Sequence, residues 1–519
     1  MLWFWVSLIA IVAVVVYDLS QRRHAILRNF PIIGHFRYIL ESVGPELRQY
    51  IVTNNNEERP FSRDQRRWIY ASSKKENTYF AFGSDNEMEL SPNYLVIKHQ
   101  AFPLDSPHPG DPDYDPDHVI PAAKVLGGSR HRKKAFRPSS VVNISGMSFG
   151  SLSGAAVEAL NKGAALANCL QNTGEGGVSV HHLHGGDIVW QIGTGYFGCR
   201  DETGRFSMAR LKDGIQRDPA VRAIEIKLSQ GAKPGVGGFL PREKITQEIA
   251  IARGIPLNRD CTSPGAHREF HDADGLLDFA EAIADETGLP VGIKSAVGEL
   301  GFWKDLARHM STTGRGVDFI TVDGGEGGTG AGPLVFTDHV ALPFKMGFGR
   351  VHRIFDAAGI SENVVFVGSG KLGFPQSALL AFAMGCDMIN VGREAMIAIG
   401  CIQAQRCHTN HCPTGVATQN RWLAGGLDPK SKAVRVANYI VALRKDLLRL
   451  ACACGVPHPS QVRPDQLELL DGRFGSRTVD EVFGGRVTWP STDDPSTPNR
   501  DQQTQSETLP TSRQASVVQ

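Results

Sequence analysis

The chain has 519 residues, and its 55 lysine and arginine residues nearly balance its 54 aspartate and glutamate residues. This length suits one large domain with an extension, or two to three domains. The net charge of +1 gives no overall attraction to nucleic acid, which is therefore not an expected partner. The nine cysteines are odd in number and crowd into one region, which argues against a secreted disulfide framework and fits metal ligation in a reducing compartment.

Residues 2–17 carry no charge, and residues 1–20 predict a transmembrane anchor. A bilayer core of ~30 Å needs about 20 apolar residues, so this run is short but usable. Arg22, Arg23, His24 and Arg28 follow it. The positive-inside rule then places the N-terminus outside and the remaining chain in the cytoplasm, as a single-pass protein. The alternative is a cleaved signal peptide, which a basic flank on the C-terminal side disfavours.

The rest of the chain divides into three predicted parts. Residues 21–137 predict an extension that packs on the domain after it, and within it the basic stretch 127–134 predicts a solvated loop. Residues 138–485 predict the main domain. Residues 486–519 are rich in serine, threonine, glutamine, aspartate and proline, and predict a disordered tail.

A strand and helix rhythm runs from about residue 138 to residue 420. Short apolar runs end in glycine-rich turns, and helical stretches follow, which is typical of βαβ units on a parallel sheet. Eight such units predict an α/β fold of the (β/α)8 TIM-barrel type, with an open doubly wound sheet as the alternative. One of the nine runs must then lie outside the barrel, and residues 188–193 are the expected exception. The nine runs are 141–146, 168–173, 188–193, 223–229, 261–264, 290–297, 318–324, 364–368 and 387–392.

Polar side chains stand at the ends of several of these strands. Glu175 lies where the second run becomes a loop, and Gln230 and Lys233 follow the strand that carries Glu225, Lys227 and Ser229. Because a barrel interior is otherwise apolar, such side chains are expected to point into a site. Lys294 lies inside an apolar strand and suits the electron-rich edge of a reduced flavin; a salt bridge to a neighbouring strand is the alternative.

Glycine motifs predict a phosphate site. Gly368-Ser369-Gly370 and Gly392-Arg393 end the last two strands, where barrels often bind phosphate through backbone N–H groups. Arg393 can add a bidentate contact. Flavin mononucleotide, FMN, fits a site for one terminal phosphate. The glycine run 323–332 and the small residues around Gly146 indicate two further close approaches of backbone to a ligand.

Three cysteines, Cys401, Cys407 and Cys412, lie within twelve residues, and Pro413 follows the last of them. Cysteine thiolates are the usual ligands of iron–sulfur clusters, and a Cys-Pro end recurs in them. Three ligands indicate a three-iron cluster or an open-cornered one. The alternative is zinc, with His408 or His411 as a fourth ligand.

Taken together, these motifs resemble the central flavin domain of glutamate synthases, in the same order and over residues 141–419. The layout is closest to stand-alone proteins that resemble the glutamate synthase large subunit. The motifs that carry the resemblance are ISGMSFGSLS, QNTGEGG, EIKLSQGAKPGVGG, GGTGAGP and GCIQAQRCHTNHCPTGVATQ.

The resemblance implies FMN, a 3Fe-4S cluster and a reductive amination. In the family, 2-oxoglutarate and ammonia form 2-iminoglutarate, which the flavin reduces to L-glutamate. Electrons come from ferredoxin or from an NAD(P)H-dependent reductase subunit. By motif, Cys401, Cys407 and Cys412 would ligate the cluster, and Glu175, Gln230 and Lys233 would be catalytic. The implied FMN-binding residues are Gly146, Met147, Ser148, Gln171, Thr173, Lys294, Gly327, Gly328, Thr329, Gly368, Ser369, Gly370, Gly392 and Arg393.

The chain departs from the large glutamate synthases in ways that leave the substrate open. It has no cysteine before Cys169 that could be a glutaminase nucleophile, and Tyr196 stands where the large enzymes carry an arginine. Gly265-Ala266-His267 replaces a Pro-Pro-His-His stretch. The alternatives are therefore a related amine and oxoacid synthase, such as an N-methylglutamate synthase-like enzyme, or a membrane-tethered electron-transfer component without oxoacid turnover.

Overall fold

The computed structural model describes residues 1–21, 25–48, 58–76, 78, 83–84, 86–112 and 114–484. Arg22, Arg23 and His24 of the predicted basic flank, and the predicted disordered tail 486–519, lie outside the described residues. The strands are β1 (Leu95–Ile97), β2 (Val142–Ile144), β3 (Gln171–Asn172), β4 (Ile188–Ile192), β5 (Val221–Lys227), β6 (Phe239–Leu240), β7 (Cys261–Thr262), β8 (Val291–Ser295), β9 (Phe319–Asp323), β10 (Val365–Ser369), β11 (Met388–Val391), β12 (Leu467–Leu470) and β13 (Ser476–Thr478).

Helices cover the strands on the outside and form the N-terminal region. They are α1 (Leu2–Ser20), α2 (Ala25–Asn29), α3 (Ile33–Leu47), α4 (Arg63–Lys74), α5 (Gly154–Leu166), α6 (Met208–Arg217), α7 (Gln247–Arg253), α8 (Ala273–Thr287), α9 (Gly301–Thr313), α10 (Leu334–His339), α11 (Phe344–Ala357), α12 (Pro375–Ala383), α13 (Arg393–Ala398), α14 (Arg421–Ala424), α15 (Pro429–Ala453) and α16 (Val479–Phe483).

Eight parallel strands close into a barrel, which confirms the predicted (β/α)8 fold. The order around the barrel is β2, β3, β4, β5, β8, β9, β10 and β11, and β11 pairs with β2 through Asn390 and Asn143. Strands β8, β9 and β10 are buried along their whole length, as expected when helices cover the outer face and side chains fill the inner one.

The strand expected to lie outside the barrel was misassigned. Residues 188–192 form β4, which pairs with both β3 and β5 inside the barrel, and all five of its residues are buried. The exception is β7, which pairs antiparallel with β6 in the connection between β5 and β8. Only two residues long, β7 exposes Thr262, whereas a barrel strand must be covered on both faces.

The segment before β2 closes the N-terminal end of the barrel. Leu126 bridges to Phe136, and Leu126 packs in one buried cluster with Val189, Phe319 and Val367. Arg132 donates to Asp318 and Glu281, and its side chain is only 8% exposed. The stretch 127–134 is a loop in which Ser129, His131, Lys133 and Lys134 are exposed, as predicted, but Arg132 anchors it to the barrel through a partly buried ion-pair network.

The N-terminal region contacts the barrel through α4, which packs against α15. The Trp68 ring lies 5.9 Å from Tyr439 and 6.0 Å from Phe374. Strand β1 joins β12 and β13 in a small antiparallel sheet. Among the described helices, α1 is the one long and apolar enough to cross a bilayer; this rests on length and composition alone, and a signal sequence would pass the same test.

Candidate active site at the barrel mouth

The side chains at the carboxyl ends of the strands are organised around a buried carboxylate. Glu225 of β5 accepts hydrogen bonds from Asn172 (2.7 Å), Gln191 (2.6 Å) and Thr321 (2.7 Å). Each donor comes from a different barrel strand, so Glu225 ties β3, β4 and β9 to β5. Both oxygens of the Glu225 carboxylate are therefore hydrogen-bonded inside the protein. We call this buried group and its three partners the floor of the barrel mouth.

Glu175 lies above this floor, beside two lysines. Lys227 Nζ is 3.3 Å from Glu175 Oε2. Burial raises the pKa of the Glu175 carboxyl, but the charges of Lys227, Lys233 and Arg253 outweigh burial and hold this pKa below its usual value. A β-carbon on Gly238 would lie 2.8 Å from Glu175 Oε1, so this glycine is needed for the close approach of the loop.

Lys233 is almost fully buried and donates to the carbonyl oxygen of Gly237 at 2.8 Å. Burial lowers the pKa of its ammonium group, the Glu175 carboxylate opposes this, and Lys227 adds to it, so the net shift is downward. A lysine with a lowered pKa gives up its proton more readily than an ordinary one. The structure therefore brings the predicted residues Glu175 and Lys233 together, and the charge of Lys233 lowers the pKa of Glu175 while the charge of Glu175 raises that of Lys233.

Gln230 connects this cluster to the glycine run. Its side-chain oxygen accepts from Lys227 Nζ at 3.2 Å, and its amide donates to the carbonyl of Gly328 at 3.5 Å. Lys227 thus lies between Glu175 and Gln230 and contacts both. The sequence prediction left Lys227 out of the catalytic set, although its alternation with Glu225 on the same strand was the signal that could have included it.

The loops after β2 and β3 meet at backbone distance. Gly174 has a φ of +66°, and a β-carbon there would lie 2.6 Å from the backbone nitrogen of Ser148. A β-carbon on Gly146 would lie 2.7 Å from Asn172 Oδ1. Because these glycines have no side chain, the loop of Gly146, Met147 and Ser148 can approach the mouth closely. The missing side chains also leave room there for a flat ring.

Two of the predicted ligand residues on β3 and its loop face elsewhere. The Gln171 side chain accepts from Asn161 of α5 at 2.9 Å, outside the barrel, because alternate strand residues point to opposite faces. Its neighbour Asn172 is the residue that faces the mouth. Thr173 is buried, and its hydroxyl accepts from the backbone N–H of Gln191. Gln171 therefore binds helix α5, and Thr173 binds the backbone of strand β4.

Lys294 forms a salt bridge to a neighbouring strand, which the sequence analysis gave as the alternative to a place beside the flavin. Its Nζ lies 3.5 Å from Asp323 Oδ2 on the neighbouring strand β9, and both side chains are 7% exposed. Asp323 also accepts from the backbone N–H of Gly231 at 2.8 Å. Lys294 is thus at the mouth, but it is held by Asp323, which the sequence prediction did not include.

Two cations meet at the loops after β10 and β11. Arg393 donates to the carbonyl of Glu326 and lies 5.0 Å from the Phe61 ring; Lys371 donates to the carbonyl of Pro60 and lies 4.9 Å from the same ring. The charges of Glu326 and Glu394 act on both cations, while the hydrogen bonds of both go to carbonyl oxygens. Two partly buried cations with carbonyl partners suit a phosphate, and Lys371 lies beside the predicted residue Arg393.

The glycines around these cations allow close backbone packing. A β-carbon on Gly328 would lie 2.7 Å from Arg393 Cδ. Gly370, with φ +139°, lies against Gly324 of the loop after β9, where a β-carbon would approach the Gly324 Cα to 3.3 Å. The predicted residues Gly327, Gly328, Thr329, Gly370 and Gly392 belong to these three loops, and Gly368 and Ser369 end strand β10.

The cysteine loop follows α13 and adjoins the glycine run. A β-carbon on Gly330 would lie 3.0 Å from Cys407 Cβ, so the two loops are in direct contact. Burial raises the pKa of Cys401 to about 12. For Cys412 burial also raises the pKa, but hydrogen bonds from Ala417 and Thr414 outweigh it and the net shift is downward.

A buried lysine that the sequence analysis did not identify lies beside this loop. Lys244 Nζ donates to the carbonyls of Cys407 (2.8 Å) and Ala417 (3.1 Å). The loop is held from the other side by Tyr70 of α4, whose hydroxyl donates to the Cys401 carbonyl at 2.9 Å. His411 bonds to the Thr409 carbonyl at 2.6 Å. The donor set that the loop offers is thus three thiols next to one ammonium group.

Tyr196 is tied into a neighbouring loop. Its hydroxyl accepts from the backbone N–H of Arg268 at 3.1 Å and bonds to His267 Nδ1 at 3.1 Å. His267 Nε2 bonds to the Lys227 carbonyl at 2.9 Å, and burial lowers the pKa of this histidine to about 4. Tyr196 and a neutral His267 therefore brace the strand that carries Lys227.

Comparison with known proteins identifies similar sequences. The model of the conserved region in glutamate synthase matches residues 122–457. The glutamate synthase large subunit-like protein YerD of Bacillus subtilis is 38% identical over 470 residues, which cover 85% of this chain and 89% of YerD. The archaeal glutamate synthase [NADPH] of Methanocaldococcus jannaschii is 33% identical over 66% of this chain and 64% of its own length.

Solved structures provide only a distant likeness. A mandelate oxidase variant with 2-hydroxy-phenylacetamide covers 85% of this chain and 96% of its own, with 13% identity and a TM-score of 0.41. A flavocytochrome b2 variant with pyruvate bound has the same identity and TM-score.

Proposed function

Because this chain belongs to the glutamate synthase family and is therefore an oxidoreductase, we propose that it forms L-glutamate from 2-oxoglutarate and ammonia, using FMN and a 3Fe-4S cluster. The observation that carries the proposal is the group of Glu175, Lys227 and Lys233 at the barrel mouth. Two ammonium groups beside one carboxylate suit a dicarboxylic oxoacid and the amine that condenses with it.

Arg393 and Lys371 would hold the FMN phosphate, since both are partly buried cations with carbonyl partners. The loops around Gly146 and Gly174 would receive the flat ring. When bound, the flavin supplies the hydride that reduces the imine carbon, and the protein supplies binding and orientation. Lys294, held by Asp323, would place a positive charge at the mouth, where it favours the anionic reduced flavin.

The lowered pKa of Glu175 disfavours this residue as the general acid. A carboxyl group acts as a general acid at neutral pH only when its pKa is raised, but that of Glu175 is lowered. We assign Glu175 the role of hydrogen-bond acceptor for ammonia or for the imine N–H group. Lys233, with its lowered pKa, would hold the oxoacid and donate the proton.

The cysteine loop would bring electrons to the flavin. Three thiols on one loop, with Pro413 after the last of them, favour an iron–sulfur cluster over zinc, which usually takes four ligands. Contact between Gly330 and Cys407 gives a short route to the flavin loops from a ferredoxin or a reductase partner.

The test is anaerobic reoxidation of the purified, dithionite-reduced protein. Adding 2-oxoglutarate with ammonium should restore the flavin absorbance and yield glutamate. The Lys233→Met variant should lose at least about 100-fold in rate with unchanged flavin content, because a buried ammonium group at the oxoacid is removed. Lys212→Met is the matched control, since Lys212 pairs with Glu286 on the surface. Protein without a flavin spectrum would overturn the proposal; flavin without reoxidation would overturn the substrate.

Iron and acid-labile sulfide analysis tests the cluster separately. We expect about three irons and four sulfides per chain, lost in Cys407→Ser and kept in Cys199→Ala, which removes a buried thiol elsewhere in the core. Stoichiometric zinc with no sulfide would instead support the zinc alternative.

A related synthase that joins a substituted amine to an oxoacid is the second proposal. Its support is Tyr196, whose hydroxyl is bonded to His267 and Arg268 and brings no guanidinium group to the mouth. Methylamine should then reoxidise the reduced protein faster than ammonium does. If only ammonium is used, this second proposal fails.

A further inference from the structure

A second cluster of ligand-type side chains lies outside the barrel mouth. It consists of Glu158 on α5 and of His181 and His184 in the connection between β3 and β4. One ligand atom from each of the three residues lies within 4.8 Å of the other two, and among the described residues this is the one such group. All three side chains are partly buried. Nothing in the proposed glutamate synthase reaction uses them.

The two oxygens of Glu158 have different partners. Oε1 accepts from Lys162 Nζ, one helical turn along α5, while Oε2 faces His184 Nε2 at 3.8 Å. Lys162 therefore fixes the direction of the carboxylate and leaves Oε2 directed toward the imidazoles. A distance of 3.8 Å is too long for a hydrogen bond and close to the separation of two ligands of one metal ion, which is about 3.3 Å for bonds of 2.0–2.1 Å.

His181 supplies the independent observation. Its Nε2 atom is shielded from solvent and has no hydrogen-bond partner, which is costly for a polar atom. The ring is fixed in place: its centroid lies 4.7 Å from that of Phe149, and a β-carbon on Gly154 would come within 2.5 Å of Nε2. A carboxylate oxygen of Glu248 lies 3.6 Å from the same nitrogen. A metal ion would satisfy this nitrogen and would have a fourth ligand within reach.

His182, between the two imidazoles in sequence, is not part of the cluster. Its Nδ1 atom accepts from the backbone N–H of Ser179 at 3.1 Å, and its ring is fully buried on the inner side of the loop. His181 and His184 are three residues apart in the chain, and both lie next to Glu158.

We propose that Glu158, His181 and His184, with Glu248 as a fourth ligand, form a binding site for a divalent transition-metal ion of the Zn²⁺ type. Two imidazoles and one or two carboxylates are a donor set that zinc commonly accepts, with four ligands in tetrahedral arrangement. The ion joins α5, α7 and the connection that begins with the Glu175 loop. It therefore acts as a clamp on the outside of the barrel, independent of the flavin and of the cysteine loop.

The test is zinc binding by the untagged, chelator-treated holoprotein, in competition with a chromophoric zinc indicator. We expect one Zn²⁺ per chain at this site, and a loss of affinity of at least about 10-fold in His184→Ala and in Glu158→Gln. The glutamine variant keeps the shape of the side chain and guards against loss of folding. His271→Ala removes an exposed histidine and is the matched control.

Thermal unfolding provides the second measurement. Zinc should raise the midpoint of the wild-type protein and of His271→Ala, and the rise should be absent in His184→Ala and Glu158→Gln, because a ligand stabilises only the state that binds it. Equal zinc affinity and an equal rise in the wild type and in both cluster variants would overturn the proposal, even if zinc bound elsewhere. Neither outcome depends on whether the protein makes glutamate.

Discussion

At the residue scale, Glu225 shows how one buried carboxylate can set the geometry of a whole site. Its partners Asn172, Gln191 and Thr321 come from three other strands, and all are buried. The cost of a missing partner inside a protein is larger than the gain from an average hydrogen bond, because the remaining groups have already lost their water. The Glu225 network therefore fixes the relative positions of the four strands that line the floor of the mouth.

Replacing Glu225 with alanine should lower the free energy of unfolding by about 3 kcal/mol or more, since three buried donors lose their acceptor at ~1 kcal/mol or more each. Urea unfolding followed by tryptophan fluorescence measures this. Glu202→Ala, at an exposed position, should change the free energy of unfolding by less than about 0.5 kcal/mol. A loss for Glu225→Ala no larger than the loss for Glu202→Ala would contradict the assigned role.

His267 gives the protein a pH-dependent stability. Burial lowers its folded-state pKa to about 4, while the unfolded pKa is near 6.5. Between these values the unfolded chain binds the proton more tightly, so stability falls as pH decreases from about 6.5 toward about 4. At pH 5 the expected loss relative to pH 7 is ~2 kcal/mol from this group.

The measurement is the free energy of unfolding in urea at pH 7 and at pH 5. The wild type should lose more stability than His267→Gln over this interval, because glutamine keeps a polar side chain and does not titrate. His182, whose pKa burial lowers to about 3, contributes in the same direction in both proteins and cancels in the comparison. Identical pH profiles would show that the pKa of His267 is the same in the folded and the unfolded chain.

At the element scale, the segment before α4 closes the phosphate end of the site. Phe61 is buried, and its ring contacts both cations, Arg393 and Lys371. Gln403 of the cysteine loop accepts from the backbone N–H of Phe61 and donates to Glu58. One segment thus covers the proposed FMN phosphate and touches the cysteine loop, which explains how both could be organised together.

Replacing Phe61 with alanine should weaken FMN retention by about 10-fold and cost about 3–5 kcal/mol of stability, since a large buried aromatic side chain is removed. Fluorescence of released flavin during dialysis gives the retention. Phe102→Ala, at a highly exposed phenylalanine, is the matched control. If Phe61→Ala destabilises the protein but keeps its flavin, the segment supports the fold and has no role at the phosphate.

The sequence predicts the elements well where a pattern is local. Strands that end in glycine predict the barrel, and the three loops with Gly328, Gly370 and Arg393 do meet. Partners distant in sequence are not predictable in this way: the basic stretch around Arg132 does not reveal that Arg132 pairs with Asp318 and Glu281. Strand β3 has only two residues, which is too short to show side chains alternating between the two faces of the barrel. The sequence therefore could not show that Asn172, and not Gln171, faces the mouth.

At the scale of the whole molecule, one barrel carries three proposed sites, one each for the oxoacid, the FMN phosphate and the iron–sulfur cluster. The mouth would hold the oxoacid, the loops after β9 to β11 carry the cations proposed for the phosphate, and the cysteine loop touches Gly330 of the loop after β9. The proposed zinc site lies outside these three sites, which is why its removal should affect stability before it affects electron flow.

The N-terminal helix provides the last prediction, because its role is separable from the barrel. Helix α1 has nineteen residues and is exposed along nearly all of its length, apart from the buried Asp18, which bonds to His35 at 2.9 Å. We propose that α1 anchors the protein in a membrane with the barrel in the cytoplasm. An apolar helix of this length gains enough by entering a bilayer to hold the chain there against salt.

The full-length protein should therefore sediment with membranes, resist extraction at high salt and dissolve in detergent. A variant that lacks residues 1–20 should be found in the soluble fraction with the same flavin content per chain, since the barrel mouth takes no residue from α1. The Val12→Arg variant is the sharper control: it keeps the length of the helix but places a charge in its apolar middle, and it should weaken membrane retention. Recovery of the full-length protein in the salt extract, or of a shortened mature chain that begins after residue 20, would contradict the anchor and support the signal-peptide alternative.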